Sequence, residues 1–438
     1  MIIQLILLLV LVAVAFFLEE EKAMLLVLML LPFNFLLKSV LYPIIGNGNV
    51  FGVWKEAMLG VIFLKIVYKL FTKKISLNKY FPKWSIAVFF VGLCFLFVRA
   101  PIKSDAIISL KSLGYSLVVF FIFAHTPIRF LSNRKISEGI GISALAVFFI
   151  AHIEQFFLTR QFAELYHVFK EQLPNGRLLY TESAYTILAR NRMFGPMVGP
   201  NELGMYTSLV LVYFSYLFFT QKHDLRSRIF LLAILILGIS TLIQTYSRAS
   251  WAIFLMSSFF VFVVGVRKWR PILRFGVYVI VSVAVMVAIN KDLRIIFMGS
   301  VTGQEASAGA RVETFAQSGE KIYNKPLGYG LGTIQYSTHN TRSFNTEIFW
   351  WLVAGELGIV FGIILILIYL ISSFNIFHYW QRAMYTNAFT SVMPFYLFTV
   401  VVAGWASVIV FDPTFQEYLW SFSGLAINPL LTKSDYEL

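Results

Sequence analysis

Arginine is the residue type whose placement in this chain asks for an explanation. Arg248 is the only charge in LIQTYSRASWAIFLM (Leu242–Met256), flanked by Tyr246, Ser247 and Ser250, at a turn between two long apolar runs. Arg190 and Arg192 precede another apolar run in LARNRMFGPMVGPNELG, and Arg311 stands in GARVETFAQSGEKIYNKPLGYGLG. A guanidinium matches phosphate in a bidentate way and keeps its charge at any relevant pH. Several of them on one face therefore fit a polyanion. A lone arginine at a helix end is more often an anchor that snorkels to the lipid headgroups. Recurrence around similar turns is what favours a ligand here.

Three further stretches carry chemistry. His339, in STHNTRSFNTEIFWW, is one of only six histidines, and a neutral imidazole can take a proton from a sugar hydroxyl. A surface histidine with no role is the equal alternative. Glu347 is a rival base, since carboxylates near a membrane-embedded helix end are costly and often functional. The glycine-rich PLGYGLG (Pro326–Gly332) offers backbone N–H groups to a phosphate, although glycines in a long loop are usually turns. Tyr323, Tyr329, Tyr336 and Trp350 are candidate sugar-stacking surfaces, or belt anchors. There is no His-x-x-x-His, no cysteine pair and no Asp-x-Asp to gather a metal, and no Gly-x-Ser-x-Gly elbow.

The elements that must position these residues are membrane helices. The chain has 438 residues, 58% hydrophobic and 13% charged, with mean hydropathy +0.76; a soluble domain carries about a quarter charged residues. Apolar runs of roughly 20 residues predict an all-α polytopic transmembrane bundle rather than a barrel. Expected spans are 1–18, 23–43, 52–71, 84–99, 107–125, 138–157, 202–220, 229–246, 250–266, 275–290, 348–374 and 389–411, with a shorter piece at 416–432. That makes about twelve crossings. Met1–Leu18 lacks a basic start and a cleavage site, and is read as a retained first helix. The single Cys94 excludes a disulfide framework.

The net charge of +14 does not indicate nucleic acid, because the basic residues sit in short loops between apolar runs. Clusters at Lys73, Lys74, Lys79 and Lys83, at Arg129, Arg134 and Lys135, at Lys222, Arg226 and Arg228, at Arg267–Arg274 and at Arg382 fall on one side if the spans alternate. That side is cytoplasmic by the positive-inside rule, which puts Met1 outside and Glu19–Lys22 inside. Residues 1–157 then form an N-terminal group of helices, 158–201 an external loop, 202–290 helices with the Arg248 turn, 291–347 a large external loop, and 348–438 the last helices and tail. In the first loop, Phe162, Leu165, Tyr166, Phe169 and Leu173 recur at helical spacing and predict an interfacial helix. Arg248 is on the outer side, so positive-inside bias does not account for it.

GPNELGMY before a helix, TYSRAS between two helices, and RVETFAQSGEKIYNKPLGYGLG followed by NTEIFWWLVAGELGIVFG occur in that order. Over roughly Arg190 to Gly362 they resemble the bacterial O-antigen ligase and polysaccharide polymerase superfamily; the rest matches only in hydropathy. Members are polytopic helical enzymes of the cytoplasmic membrane with a large external loop before the last helices. They need no metal or other cofactor and use undecaprenyl-diphosphate-linked glycans. The resemblance implies diphosphate binding for Arg248 and Arg311, with Arg192, Asn201, Gly328 and Gly330 at further motif positions. Arg190, Tyr246 and Ser247 neighbour those positions. The family's His-Asn pair falls on Phe344-Asn345, with His339-Asn340 five residues earlier, and its acidic residue falls on Val353, with Glu356 nearby.

The implied function is polymerisation of lipid-linked oligosaccharide repeats, for lipopolysaccharide or capsule, on the outer face of the membrane. The partners would be glycan donor and acceptor, the bilayer, a flippase and a chain-length regulator. The alternatives are an O-antigen ligase, which moves glycan to lipid A core or another acceptor, and a flippase for lipid-linked oligosaccharides. The absent histidine at the motif position weakens the ligase. Spans nearly free of charge weaken the flippase.

Overall fold

A computed structural model describes residues 2–45, 53–167, 169–172, 178–180, 186–187, 190–266, 269–289, 306–334, 348–382, 387–405 and 413–431. In chain order the helices are α1 (Ile2–Phe17), α2 (Glu20–Leu30), α3 (Asn34–Ile45), α4 (Trp54–Phe71), α5 (Lys83–Arg99), α6 (Lys103–His125), α7 (Asn133–Phe156) and α8 (Thr159–Leu165). They continue as α9 (Pro200–Thr220), α10 (Leu225–Gln244), α11 (Arg248–Phe260, extended by π-type turns to Val266), α12 (Trp269–Ile289) and α13 (Ala306–Asn324). The last four are α14 (Phe349–Leu357), α15 (Ile359–Arg382), α16 (Ala388–Ala403) and α17 (Pro413–Ile427). Two small antiparallel ribbons, β1 (Phe169–Gln172) with β2 (Leu178–Tyr180) and β3 (Thr186–Ile187) with β4 (Arg190–Asn191), interrupt this otherwise helical chain. Among the described residues, seven helical segments are long and apolar enough to cross a membrane.

Polar caps start several helices before their apolar runs. Asp224 accepts from Ser227 N, Ser132 from Lys135 N and Asn387 from Thr390 N, so α10, α7 and α16 gain residues that hydropathy alone leaves out. The expected 23–43 span runs on from α2 into α3 through a single 3-10 turn at Leu31–Phe33 that holds Pro32, and one expected span is broken. The expected 348–374 span divides at Gly358, whose φ of +85° ends α14 and starts α15.

The helix at the centre is α17, which sequence read as a doubtful short return. Every residue from Phe415 to Ile427 is buried. It lies against α6 so closely that a Cβ on Gly424 would come within 2.5 Å of Phe123 Cβ. Large apolar side chains point outward instead, as on α5 (Val91, Val98) and α15 (Val360, Phe374). Such an inverted pattern suits helices whose surroundings are as apolar as their side chains.

The loops sort to two ends. Arg134, Lys222 and Arg226 line one cleft with Asn387, while Lys73 and Lys74 line another with His125 and Asn428. Asn133 donates to Leu431 O, which ties the two clefts to one end of the bundle. Lys65 reaches Ala15, Phe16 and Leu18 carbonyls and Lys69 pairs with Glu20, so the α1–α2 turn joins the same basic end. The N-termini of α9, α11 and α17 lie at the other end.

The expected interfacial helix stops early. It ends at Leu165, His167 adopts φ +57°, and the chain turns into the β1–β2 ribbon at Phe169. Tyr166 is not laid on a lipid surface. It is buried, donates to Gly195 O at 2.9 Å, and packs its ring 4.7 Å from Phe35.

Candidate functional site: an arginine pair at two helix N-termini

The α9 and α11 helices run in the same direction, with α10 returning between them. Their N-termini abut because residue 204 is glycine: a Cβ there would sit 2.6 Å from Ser250 Oγ and 3.0 Å from Ser247 Cβ. The turn from α10 into α11 passes through Tyr246, buried and held at φ +51°, a conformation that bulky residues rarely adopt. Ser247 precedes the helix, its hydroxyl 2.8 Å from Ser250 Oγ, and Arg248 is the first helical residue.

Arg192 meets this turn from the preceding loop. Its backbone neighbour Met193 donates to Gln244 O at 3.0 Å. The guanidinium is buried, with Nε donating to Thr245 O at 2.7 Å and Nη2 to Asn201 Oδ1 at 2.6 Å. Burial lowers its pKa to about 10; Glu202 in the first turn of α9 opposes the shift and Arg248 adds to it. Arg192 therefore stays a cation at neutral pH, within the field of a second cation. First-turn amides of a helix have no partner within it and carry partial positive charge. Two such termini with two guanidinium groups form a centre built for negative charge.

The loop is fixed from beneath by Glu154 of α7. This carboxylate is fully buried and accepts from Phe194 N and Gly195 N, each at 3.4 Å. Gly195 adopts φ +55°, and a Cβ there would meet Ala151 Cβ at 2.8 Å. Sequence reasoning missed Glu154, although a carboxylate within an apolar run is itself a signal.

Several amides of the glycine-rich loop meet protein acceptors. Tyr329 N donates to Gly355 O at 2.6 Å, Gly328 N to Lys325 O at 2.9 Å, and Gly332 N and Ile334 N to the Glu356 carboxylate at 3.3 Å each. Ser109 of α6 also donates to Glu356. A Cβ on Gly328 would lie 2.5 Å from Gly358 N, and one on Gly332 2.5 Å from the Asp105 carbonyl carbon. The glycines let the loop press its backbone onto the α14–α15 break and onto α6. Gly328 N is taken up by protein, and Gly330 keeps φ +108° beside Pro101. Trp350 is not a sugar surface: it is buried and donates to Val401 O.

Thus Arg192, Asn201, Tyr246, Ser247 and Arg248 come together. Arg311 lies in α13 and Arg190 in β4, but their side chains fall outside the described part of the structure. His339, Asn345 and Glu347 lie outside the described residues altogether. Among the described residues no three His, Cys, Asp or Glu side chains are placed to hold a metal ion. No protein-family model and no curated protein matches this chain.

Proposed function

We propose that the chain joins glycans carried on a polyprenyl diphosphate, acting as a polysaccharide polymerase of the type its motifs resemble. The observation that supports this reading is the arginine pair at the abutting α9 and α11 N-termini, at the end of the bundle away from the basic loops. Such a pair suits a diphosphate at headgroup level. The full proposal has about twelve crossings of the cytoplasmic membrane, with residues 291–347 as an external loop over the site.

In the reaction, an acceptor hydroxyl attacks the anomeric carbon of the donor sugar. The bond from that carbon to the diphosphate oxygen breaks, and its electron pair leaves with the lipid diphosphate. The hydroxyl proton passes to His339 or Glu347. Single displacement inverts the anomeric configuration and forms no glycosyl-enzyme. Arg248 and Arg192, with Arg311, stabilise charge building on the leaving diphosphate, where prearranged donors contribute most.

Reconstituted protein given a lipid-linked oligosaccharide should produce a ladder of longer glycans in detergent. A flippase would join nothing. A ligase would act only when a different acceptor, such as lipid A core, is added. Absence of any joined product with either acceptor would remove the enzymatic reading.

A further inference from the structure

Five charged side chains that the arginine site does not use gather where α3, α4, α6 and α17 meet. Lys55 Nζ donates to both oxygens of Glu417, at 2.6 and 2.8 Å, with the two side chains 5% and 2% exposed. Beside Lys55, Glu56 faces Lys111, whose Nζ is 2.5 Å from Oε1. The angles of that ion pair leave both Glu56 oxygens without a hydrogen bond. Lys38 is half-buried in the field of all four groups, and among the described residues it has no carboxylate within 4.0 Å. The Tyr115 hydroxyl, in the field of Glu417 and Glu56, is buried with no hydrogen-bond partner.

Three lysines thus stand against two glutamates, and both the ammonium of Lys38 and the hydroxyl of Tyr115 have donors to spare. An unpaired cation among apolar helices is costly unless an anion meets it. The Lys111 side chain is 47% exposed on the bundle's outer surface, which leaves lateral access for a lipid-borne group. The cluster also neighbours the arginine centre. Asn34, Glu202 and Thr414 line one small cleft. On one side of it, Asn34 accepts from Trp54, the residue before Lys55, and Glu417 is one turn along α17 from Thr414. On the other side, Glu202 adjoins Asn201, which holds Arg192.

We infer that the Lys38, Lys55 and Lys111 cluster is a second phosphate site, which holds the phosphate-bearing head of the acceptor lipid while the arginines hold that of the donor. The assignment to an acceptor rests on the proposed function. The phosphate site itself rests on the geometry alone. Lysine suits the role as a point-charge phosphate binder, and the cleft places the two anions as neighbours, as joining two lipid-linked glycans requires.

Full-length protein in nanodiscs, titrated with a short-chain polyprenyl diphosphate and counted by native mass spectrometry, should take two equivalents. K38M, which keeps the length of the side chain and leaves the Lys55–Glu417 pair intact, should take one. R248A should also take one, and the double variant none. In the joining assay K38M should raise the acceptor KM at least tenfold and leave donor KM unchanged. Two equivalents bound to K38M would overturn the site, and an unchanged acceptor KM would overturn the acceptor assignment. If a large excess of phosphatidylglycerol displaces the Lys38-dependent equivalent, the site belongs to bilayer lipid and the acceptor assignment falls. If two equivalents bind but no glycan is joined, the enzymatic reading falls and the phosphate site stands.

Discussion

At Gly204 and at Gly328 a missing Cβ admits a neighbouring element to similar closeness, serine side chains at the first and backbone at the second, yet opposite charges govern the two contacts. At Gly204 the N-terminus of α11 is admitted, and it brings Arg248 next to the buried Arg192. At Gly328 the α14–α15 break is admitted, and one turn away Glu356 accepts from Gly332 N, Ile334 N and Ser109. The second contact absorbs its own polar groups: three donors meet one carboxylate, and the loop becomes a strut. The first gathers positive charge on positive charge. In an apolar bundle, polar groups that complete each other hold the fold. Two cations held side by side in the fold carry a cost in stability that a bound anion would offset.

The largest expected effect tests that division. Replacing Arg248 by Ala, or by Lys, should lower glycan joining by about 100-fold or more, the loss typical when a prearranged donor to developing charge is removed. The amount of protein in the membrane should not change. Lysine keeps the charge but not the fork that grips two phosphate oxygens. A normal glycan ladder from either variant would mean that Arg248 is a strut like Glu356.

The converse change is Glu356→Ala. It strands three buried donors, at a cost on the order of 3 kcal/mol. Thermal unfolding in detergent should shift down accordingly, while the diphosphate bound at the arginine centre by the surviving folded fraction should keep its affinity. An unchanged unfolding midpoint would show that the glycine-rich loop is not held by this carboxylate.

The two glycines separate the regions more finely. Gly204→Ala presses a methyl group on Ser250 Oγ and Ser247, which costs about 1–3 kcal/mol and tilts the α11 terminus, so joining should fall about tenfold, in line with the roughly 1.4 kcal/mol that a tenfold change represents. Gly328→Ala combines a backbone clash with φ +78° and should lose stability first. Diphosphate affinity measured on the two variants distinguishes them: it should weaken only for Gly204→Ala.

What was legible in the sequence follows from contrast. Arg248 and Arg192 stand out because each interrupts an apolar or glycine-containing stretch, and the helices that carry them read from hydropathy. The Glu356 and Lys55–Glu417 contacts were hidden because their partners lie 247 and 362 residues away in sequence. The contacts of PLGYGLG were hidden because glycine spacing shows that amides can approach something, but not what approaches. The central α17 looked doubtful because Gln416, Glu417, Ser421 and Ser423 lower its hydropathy. All four are buried in the bundle, so polarity there marks the interior rather than a boundary.

The smallest effect gives the sharpest test of the arginine pair, because two readouts should move in opposite directions. Asn201 Oδ1 accepts from Arg192 Nη2 at 2.6 Å, as a neutral partner. Asn201→Asp puts a carboxylate of nearly the same shape at that point. The buried guanidinium then meets a carboxylate where it had a neutral acceptor, and the fold should gain about 1 kcal/mol, as charge-assisted bonds exceed neutral ones. The same carboxylate competes with an incoming diphosphate, so affinity should drop several-fold. Thermal unfolding and diphosphate titration of one preparation measure both. If stability and affinity rose together, Arg192 would be a structural residue with no stake in the ligand. If stability rises as affinity falls, the neutral asparagine is what leaves the positive charge of Arg192 available to a bound anion.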